Sequence, residues 1–421
     1  MMKIKNIHIF GGGTMSHIMN HFSLCAPAYG NTAYALDRLV HRRFVHCNIE
    51  LELTKMAGGK LETNDDVLNR INELKQNPNT KIIFFNCALV DWAASKLEIT
   101  DDKIHTLFGK YVDRLSTKHW SNKQLKLELI PEKKIISSIR TDRKDIFLVG
   151  FKTTCGATKQ EMYIAGLSLC KESSVNLVLV NDTKTHWNMI VTPEEASYHE
   201  TSNRESVLKE LVDMTYHRSH LTFTQSTVVS GEPINWNDEK IPNSIRTVVN
   251  HCINKTAYKP FNGKTVGHFA IKLSDTEFLT SIRKSNFNDL NEIGMVYVKT
   301  DGPDTVIAYG AKPSVGGQSQ RIVFNDHAGM DCIVHFHCPL KDTPIDNIPI
   351  VSQREVECGS HECGKQTSKN LGEFENGQIK AVMLDQHGPN IVFSKNTDPQ
   401  LIISFIERNF DLSRKTGGYQ L

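Results

Sequence analysis

The stretch Asp331-Cys-Ile-Val-His335-Phe-His337-Cys-Pro339 places two histidines two residues apart beside an apolar run. Because alternate side chains of a strand point to the same face, His335 and His337 can both reach one ion. A third histidine, His387, follows the apolar run Lys380-Ala-Val-Met-Leu384. Three neutral nitrogens with a vacant fourth position are typical of a catalytic zinc, which polarises a carbonyl or acidifies a water. A chance His-x-His is the alternative in a chain with 18 histidines.

The N-terminal half shows the alternation of a parallel sheet. Its apolar runs end in polar residues and are separated by amphipathic segments such as Lys159 to Cys170. This pattern predicts a doubly wound α/β fold, in which ligands bind beyond the carboxyl ends of the strands. The polar residues expected at that edge are Asn86, Asp91, Lys152, Asn181 and Asp182.

A glycine triplet follows the first apolar run, Ile7-His-Ile-Phe10. The small residues Gly11, Gly12, Gly13 and Thr14 would let backbone N–H groups approach a phosphate at a helix start. The triplet matches neither common phosphate-loop fingerprint, so a plain tight turn is the alternative.

Four motifs in this half stand in the order found in one enzyme family: Gly12-Gly13-Thr14, Cys87-Ala-Leu-Val-Asp91, Val149-Gly-Phe-Lys-Thr-Thr154 and Val180-Asn181-Asp182. They resemble phosphopantothenoylcysteine synthetase, of the DNA/pantothenate metabolism flavoprotein family. The resemblance implies a nucleotide-dependent ligase of coenzyme A synthesis, which activates a carboxylate with CTP or ATP and Mg²⁺.

The same resemblance implies roles for individual residues. Asp91, Lys118 and Asn181 would be catalytic, with Lys123 as the alternative lysine of its basic cluster. A strand-end cap is the other interpretation of Asp91, and a solvated surface is that of the cluster. The residues implied in nucleotide binding are Gly11, Gly12, Gly13, Thr14, Phe151, Lys152 and Asp182.

One loop departs from that family. The family's Asn-x-Ser-Ser-Gly loop carries an asparagine that helps to handle the acyl-nucleotide intermediate. Here the corresponding segment is Ser23-Leu-Cys25-Ala26-Pro27, in which Ser23 takes the place of the asparagine. The ligase activity of this half is therefore open.

The C-terminal part resembles the class II aldolase family, whose relatives include ribulose-phosphate epimerase and the non-enzymatic adducin head. The resemblance implies an α/β domain with a mainly antiparallel sheet and a metal-dependent lyase activity. It also implies zinc, or another divalent transition metal, on His335, His337 and His387. The matching segments are Val266-Gly267-His268-Phe-Ala-Ile-Lys-Leu273, Lys312-Pro313-Ser314-Val315-Gly316, Cys332-Ile-Val-His335-Phe-His337 and Met383-Leu-Asp-Gln-His387-Gly388.

Two positions of the aldolase pattern are altered. The family's acidic residue falls on Gly316, which cannot transfer a proton, and its phosphate-pocket asparagine falls on His268. We therefore expect weak or no activity on ordinary sugar phosphates. Gln318, Asp326, His327 or a group from another subunit could replace the acid. Asp326 and His327, however, are predicted to be exposed residues of a helix.

Length and composition fit two domains. With 421 residues and 39% hydrophobic content, the chain can build two ordinary cores. We expect a nucleotide-binding domain at 1–215, a linker at 216–240 and a metal-binding domain at 241–421. Within the last, Gly359-Ser360-His361-Glu362 predicts a helix start rather than a metal tract between Cys358 and Cys363.

Charge and cysteine usage limit the partners. The net charge of +2 is spread along the chain, so no nucleic-acid partner is expected. No stretch approaches ~20 apolar residues, and the N-terminal run is too short for a signal peptide, so no membrane association is expected. Ten scattered cysteines suit a reducing cytoplasm. Both resemblances imply a homo-oligomer acting on a small molecule.

Three functions follow from these observations. The first is a bifunctional enzyme, in which a nucleotide-dependent ligase-like domain is fused to a zinc-dependent lyase-like domain. The second is a single metal-dependent lyase with a non-catalytic nucleotide-binding module. The third is a non-enzymatic, adducin-like binding protein.

Overall fold

The computed structural model describes residues 6–99, 103–115, 124–314, 317–374 and 377–420. The chain forms two compact units, Met1–Pro193 with His199–Ser219, and Glu194–Tyr198 with His220–Leu421. The short segment Glu194–Tyr198 thus groups with the second unit, although it lies in sequence inside the predicted first domain. The predicted linker at 216–240 stays a prediction.

The described elements of the first unit are β1 (Asn6–Gly13), β2 (Met15–Met19), β3 (Phe22–Cys25), α1 (Asn31–Arg43), β4 (Asn48–Leu53), α2 (Asn64–Gln76), β5 (Thr80–Ala88), β6 (Trp92–Ile99), β7 (Lys103–His105), β8 (Leu125–Pro131), α3 (Ile136–Ile139), β9 (Phe147–Thr154), α4 (Lys159–Ser173), β10 (Leu177–Asp182), β11 (Asn188–Val191), β12 (Ser197–Thr201) and α5 (Arg204–Arg218).

The first unit contains the predicted parallel sheet. Among the described residues the strand order is β12-β11-β10-β9-β5-β1-β4, and the neighbours from β10 to β4 run parallel. The chain passes from β1 to β4 on one side and then to β5 on the other, so the strand order reverses between β1 and β5. Ligands in such sheets bind outside the carboxyl ends of the strands at this reversal.

Local sequence explains the central strands and the helix that covers them. Ile82–Phe84 of β5 and Leu177–Val180 of β10 are apolar runs that are fully buried, as expected of strands covered on both faces. Helix α4 begins with a capping box, in which the Thr158 hydroxyl accepts from the Glu161 amide and the Glu161 carboxylate accepts from the Thr158 amide. The predicted amphipathic segment between two of these strands is therefore a helix.

The described elements of the second unit are β13 (Gln225–Val229), α6 (Asn243–Asn254), β14 (Pro260–Phe261), β15 (Lys264–Thr265), β16 (His268–Lys272), β17 (Glu277–Ser281), α7 (Leu290–Ile293), β18 (Met295–Thr300), β19 (Thr305–Tyr309), α8 (Gly317–Asp326), β20 (Cys332–His335), β21 (Ile350–Val351), α9 (His361–Leu371), β22 (Lys380–Leu384), β23 (Gly388–Phe393) and α10 (Pro399–Asn409).

The large sheet of the second unit is mainly antiparallel, as predicted. Its order in the described part of the chain is β13-β19-β18-β17-β16-β20-β23-β22-β21, and only the two terminal pairs are parallel. Both faces are buried, since neighbouring residues of one strand enter different cores. Val334 packs with Phe269 and Phe336, whereas Ile333 packs with Val323 and Phe324 of α8.

Two helix starts test the sequence patterns. Helix α9 begins at His361 with the Ser360 side chain accepting from the Cys363 amide, so the predicted helix start is confirmed. The sequence pattern predicts an amphipathic helix from Asn250 to Tyr258, whereas helix α6 begins at Asn243 and ends at Asn254. The apolar face of α6 already includes Ile245 and Val248, which the interrupted polar stretch before it obscured.

No helix in the described ranges is both long and apolar enough to cross a membrane.

Candidate functional site

The three predicted histidine ligands lie together in the second unit. His335 ends β20, His337 follows two residues later, and His387 directly precedes β23. Their exposed fractions are 1%, 6% and 1%. One ligand nitrogen from each lies within 4.8 Å of the others. His335 lies two residues after Ile333 in β20, so the two side chains belong to the same face of the sheet. This is the face that α8 covers.

The turn before β23 brings His387 to the other two histidines. The His387 amide donates to the Leu384 carbonyl at 2.9 Å, and Gln386 in this turn has a φ of 56°. Gly388 has a φ of 137°, and a Cβ on it would lie 2.0 Å from the Phe336 carbonyl oxygen. Only glycine fits this close approach to the segment that carries the other two ligands.

Two of the histidines have the spacing of ligands to one tetrahedral ion. The His335 Nδ1 lies 2.9 Å from the Pro389 carbonyl oxygen, so it donates there and leaves Nε2 unprotonated. His335 Nε2 and His387 Nε2 are 3.3 Å apart. Two nitrogens, each ~2.0–2.1 Å from a shared zinc in tetrahedral geometry, are separated by roughly 3.3–3.4 Å. The donor set therefore fits such an ion.

Burial keeps the His335 imidazole in the neutral form that binds metal. Burial, with added repulsion from His387, His268 and His337, holds the pKa of His335 well below its usual value. Burial and repulsion from His337 likewise lower the pKa of His268 to about 3. The His268 ring stacks on that of His335 at 4.7 Å, and its Nδ1 lies 2.6 Å from Gln320 Nε2. Neutral imidazoles are required for metal coordination.

A carboxylate that the sequence analysis missed lies beside the cluster. Glu195 Oε2 is 3.3 Å from His337 Nδ1 and 3.3 Å from Lys415 Nζ. The Glu195 and Lys415 side chains are 0% and 2% exposed. Glu195 is 142 residues from His337 in sequence, so no local pattern signals their contact.

The residues predicted to replace the acid of the aldolase pattern either lie away from the histidine cluster or fall outside the described residues. Gly316 and the side chain of Gln318 are outside them. Asp326 ends α8, where it accepts from the Ser368 hydroxyl at 2.6 Å. His327 Nε2 lies 3.1 Å from the same hydroxyl. Neither belongs to the histidine cluster among the ligand groups of the described chain.

The glycine triplet of the first unit ends a strand instead of opening a helix. It belongs to β1 and is followed by β2, because helix α1 begins only at Asn31. The Gly13 amide donates to the Ala28 carbonyl at 2.8 Å, and the Thr14 amide donates to the Ala88 carbonyl at 3.0 Å. These two amides are therefore engaged within the protein.

Packing accounts for the small size of these residues. A Cβ on Gly11 would lie 2.3 Å from the Cβ of Ala33 in α1, and one on Gly12 would lie 2.1 Å from the Thr54 hydroxyl. Gly12 also has a φ of 94°. Close approach of α1 and of the Thr54 loop to β1 explains the triplet, and phosphate binding by it stays a prediction.

Asp182 organises the loops at the carboxyl edge of the sheet. One of its oxygens accepts from the Thr154 hydroxyl at 2.8 Å and from the Ala157 amide at 3.0 Å. The other accepts from the amides of Lys184 and Thr185 at 3.0 and 2.8 Å. The side chain thus joins the loops that follow β9 and β10, while its role in nucleotide binding stays a prediction.

The remaining residues of the predicted nucleotide site occupy the same edge. Lys152 is exposed and Phe151 half-buried near the end of β9, and Asn181 lies near the end of β10. The Asn181 amide oxygen lies 3.4 Å from the Thr153 hydroxyl. In the register of the parallel strands β9 and β10, Asn181 pairs with Thr153, so Phe151 and Asn181 belong to one face of the sheet and Lys152 to the other.

Asp91 follows β5 and is exposed, and its carbonyl accepts from the Glu132 amide at 2.8 Å. Lys118 and Lys123 lie outside the described residues. Ser23, at the position of the family's asparagine, has its hydroxyl 2.8 Å from His17 Nδ1. Of the predicted catalytic residues, Asp91 thus lies between β5 and β6, directly before β6, and Asn181 lies near the end of β10.

No family model and no curated protein matches the chain. Solved structures do match it. A DNA/pantothenate metabolism flavoprotein from Streptococcus pneumoniae is 17% identical and covers 50% of this chain and 97% of its own, with a TM-score of 0.40. The C-terminal domain of the coenzyme A biosynthesis bifunctional protein CoaBC is also 17% identical and covers 50% of this chain and 94% of its own, with a TM-score of 0.37.

An L-fuculose 1-phosphate aldolase is 13% identical to this chain and covers 41% of it and 84% of its own length, with a TM-score of 0.30. The solved structures similar to this chain thus include both families that the sequence motifs resemble, the phosphopantothenoylcysteine synthetase-type flavoprotein and the class II aldolase.

Proposed function

We propose that the second unit is a metal-dependent lyase domain. His335, His337 and His387 would bind one divalent transition metal ion, zinc in the first instance, and the reaction would be enolisation or carbon–carbon cleavage of a small carbonyl metabolite. The observation that carries this proposal is the 3.3 Å separation of the His335 and His387 Nε2 atoms, in a cluster with a third buried histidine.

The chain's own groups prepare this site. The bound ion would act as a Lewis acid toward a carbonyl oxygen. The Pro389 carbonyl holds His335 in the tautomer whose Nε2 is available to the ion. Burial of all three rings excludes water, which strengthens electrostatic interactions inside the site. His268, stacked on His335, stays neutral and adds no charge that would repel a cation.

Two substitutions relative to the aldolase pattern limit the substrate. Gly316 supplies no carboxylate, and His268 stands where an asparagine of the phosphate pocket is expected. We therefore propose a substrate other than an ordinary aldose or ketose phosphate. The reaction would require a proton acceptor other than residue 316, because carbanion formation beside a carbonyl requires removal of a proton.

Metal analysis of the purified full-length chain tests the centre. The wild-type protein should contain about one equivalent of a transition metal, as expected of a three-histidine site. His335→Ala, His337→Ala and His387→Ala should each lose it. His327→Ala is the matched control, because that histidine contacts Ser368 instead of the cluster. Wild-type protein without metal, or full retention by His335→Ala, would refute the site.

Deuterium exchange tests the reaction even when its product has not been identified. In D₂O, an enolising enzyme introduces deuterium beside the carbonyl of a substrate, which proton NMR detects. A panel of small hydroxycarbonyl and 2-oxo acid compounds should include one that exchanges with the wild-type protein and not with His337→Ala. Exchange that survives the loss of metal would contradict a metal-dependent mechanism.

We also propose that the first unit binds a nucleoside triphosphate with Mg²⁺, as the ligase-like half of a bifunctional enzyme. The specific observation in its favour is the reversal of strand order between β1 and β5, with exposed polar residues at the carboxyl ends. Since Gly13 and Thr14 use their amides internally, Lys152 and Asn181 are the better candidates for ligand contact.

A melting assay with CTP and ATP tests this second proposal. A ligand at 100 times its dissociation constant should stabilise the protein by about 2.7 kcal/mol. Lys152→Ala and Asn181→Ala should reduce the shift. Lys144→Ala is the control, because this exposed lysine precedes β9 at the opposite edge of the sheet. If millimolar CTP and ATP leave melting unchanged, the first unit does not bind these nucleotides and the lyase proposal stands alone.

A further inference from the structure

We propose that Glu195 is a positioning residue of the metal centre, acting through His337 and held in place by Lys415. This inference rests on the proposed metal-dependent function of the second unit. Its geometric basis is a chain of contacts, in which Glu195 Oε2 lies 3.3 Å from both His337 Nδ1 and Lys415 Nζ. The Lys415 ammonium also donates to the Glu195 carbonyl oxygen at 3.1 Å.

The burial of this ion pair calls for an explanation beyond packing. Both side chains are almost fully buried, and removing two charges from water costs more than their attraction commonly returns. A pair of apolar side chains would fill the same space without that penalty. A hydrogen-bond acceptor is required at this position, however, if its task is to accept from an imidazole, and an ionised carboxylate is a stronger acceptor than a neutral oxygen.

Such a hydrogen bond determines which nitrogen of His337 can bind an ion. When Nδ1–H donates to Glu195, the ring leaves Nε2 unprotonated. The carboxylate also raises the basicity of the ring, as outer-shell carboxylates do for metal-bound histidines. The Pro389 carbonyl serves His335 in the same way, at 2.9 Å from Nδ1. Two of the three ligands thus have an acceptor that fixes their tautomer.

The backbone around Glu195 is constrained for this contact. Glu195 has a backbone φ of 69°, in the left-handed region that residues other than glycine rarely adopt. Its neighbour Glu194 accepts a hydrogen bond from the Cys358 amide at 3.2 Å. Strained residues persist where their surroundings hold them. Here the carboxylates of Glu194 and Glu195 hold the segment in place through their contacts with Cys358 and His337.

The residue after Lys415 binds the ligand segments directly. The Thr416 amide donates to the His337 carbonyl at 3.1 Å, and its hydroxyl donates to the His387 carbonyl at 3.1 Å. Lys415 is therefore fixed beside the centre by its own backbone context. Glu195, Lys415 and Thr416 together form a support that contacts two of the three proposed ligands.

Cobalt(II) binding to the chelator-stripped full-length chain tests the inference. Cobalt gives a visible spectrum that reports its coordination, and competition with a chelator gives its affinity. Glu195→Ala should weaken cobalt binding by roughly 10–100-fold and alter the spectrum. Glu195→Gln should lose less, because its amide oxygen can still accept from His337. Glu194→Gln is the matched control and should retain both affinity and spectrum, since its partner is the Cys358 amide.

Coupling to His337 distinguishes positioning from a general loss of structure. His337→Ala should leave only weak two-histidine binding by His335 and His387, measurable at high cobalt concentration, and if Glu195 acts through the His337 ring, Glu195→Gln should weaken that residual binding no further. An equal loss in both backgrounds would show a merely structural role and overturn the inference. Because Lys415→Met removes a buried cation that contacts the Glu195 carboxylate, Glu195→Gln combined with Lys415→Met should melt at a higher temperature than Lys415→Met alone.

The wild-type result separates this inference from the proposed function. Wild-type protein that binds no cobalt refutes the metal centre itself. Wild-type binding together with unchanged affinity and spectrum in both Glu195 variants refutes the role of Glu195 and leaves the centre intact. A melting curve for each chelator-stripped variant identifies any that fail to fold, and Glu195→Gln then decides the question if Glu195→Ala is lost.

Discussion

Replacing His268 with asparagine should remove part of the acid sensitivity of the second unit. His268 is 3% exposed, stacks on His335 and has a pKa lowered to about 3 by burial and by repulsion from His337. Asparagine cannot titrate, and its amide can still form a hydrogen bond with Gln320.

The sign and size of the effect follow from proton linkage. The unfolded histidine titrates near ~6.5, so below that pH the unfolded chain takes up a proton that the folded protein excludes. The unfolding free energy is therefore unaffected by this group above about pH 6.5, and it falls as the pH drops toward the folded-state pKa of about 3. At pH 5 the loss is RT ln(1 + 10^1.5), or about 2 kcal/mol.

Urea unfolding of the full-length chain can measure this difference. Trp236 is buried in the second unit, so its fluorescence reports that unit in a background with Trp92, Trp120 and Trp187 replaced by phenylalanine. A chelator removes metal, and the curves are compared at about pH 7.5 and pH 5. Wild-type protein should lose about 2 kcal/mol more than His268→Asn between these two conditions.

The comparison removes contributions that both proteins share. Groups that are not coupled to residue 268 contribute equally in both proteins, so the pH-dependent difference between wild type and variant reports His268 together with its coupling to His335 and His337. A constant difference at the two pH values would refute the reasoning, whatever the absolute stability of the variant. It would mean that the pKa of His268 is the same in the folded and the unfolded protein.

Gly388→Ala and Gly316→Glu, with Gly377→Ala as a control for the first, should change different properties of the protein. Gly388→Ala should lower both the melting temperature and the metal affinity, because strain of ~1–3 kcal/mol adds to a contact of 2.0 Å with the Phe336 carbonyl oxygen. Gly377→Ala, with a φ of 85° and open space around its Cβ, is the control for strain alone, and an equal effect on metal affinity would count against the close contact. Gly316→Glu should increase the metal-dependent exchange rate by up to roughly 10²–10⁴-fold if a positioned acid/base is what the site lacks, and an unchanged rate in a folded variant would contradict that account.

The histidine cluster could be predicted because its spacing encodes its geometry. A strand period of two puts His335 and His337 on one side, and the family order of motifs adds His387. The structure brings them within 4.8 Å. The turn before β23 could not be predicted from this spacing. In that turn, Gly388 allows the backbone to approach the Phe336 carbonyl closely.

The N-terminal motifs predicted strands better than they predicted contacts. The apolar runs that became β1, β5, β9 and β10 were recognisable from composition alone. The glycine triplet was ambiguous because small residues serve either a bound phosphate or close packing of protein atoms. Ala33 and Thr54 lie well over ten residues away in sequence, so the packing that explains Gly11 and Gly12 appears only in the folded chain.

The carboxylate beside the proposed metal centre is a property of the tertiary fold. The resemblance to the aldolase family predicts that Gly316 replaces an acid, but it gives no indication of a carboxylate at Glu195, since its partners His337 and Lys415 are 142 and 220 residues away. The two positions are not equivalent. Glu195 contacts the Nδ1 of a proposed ligand, so it supplies orientation and negative charge without standing where a substrate proton is transferred. A site that keeps this support but lacks the acid would retain metal affinity while having a slow proton-transfer step. Glu195 variants should therefore affect cobalt binding, and Gly316→Glu should affect exchange rate, each largely without the other.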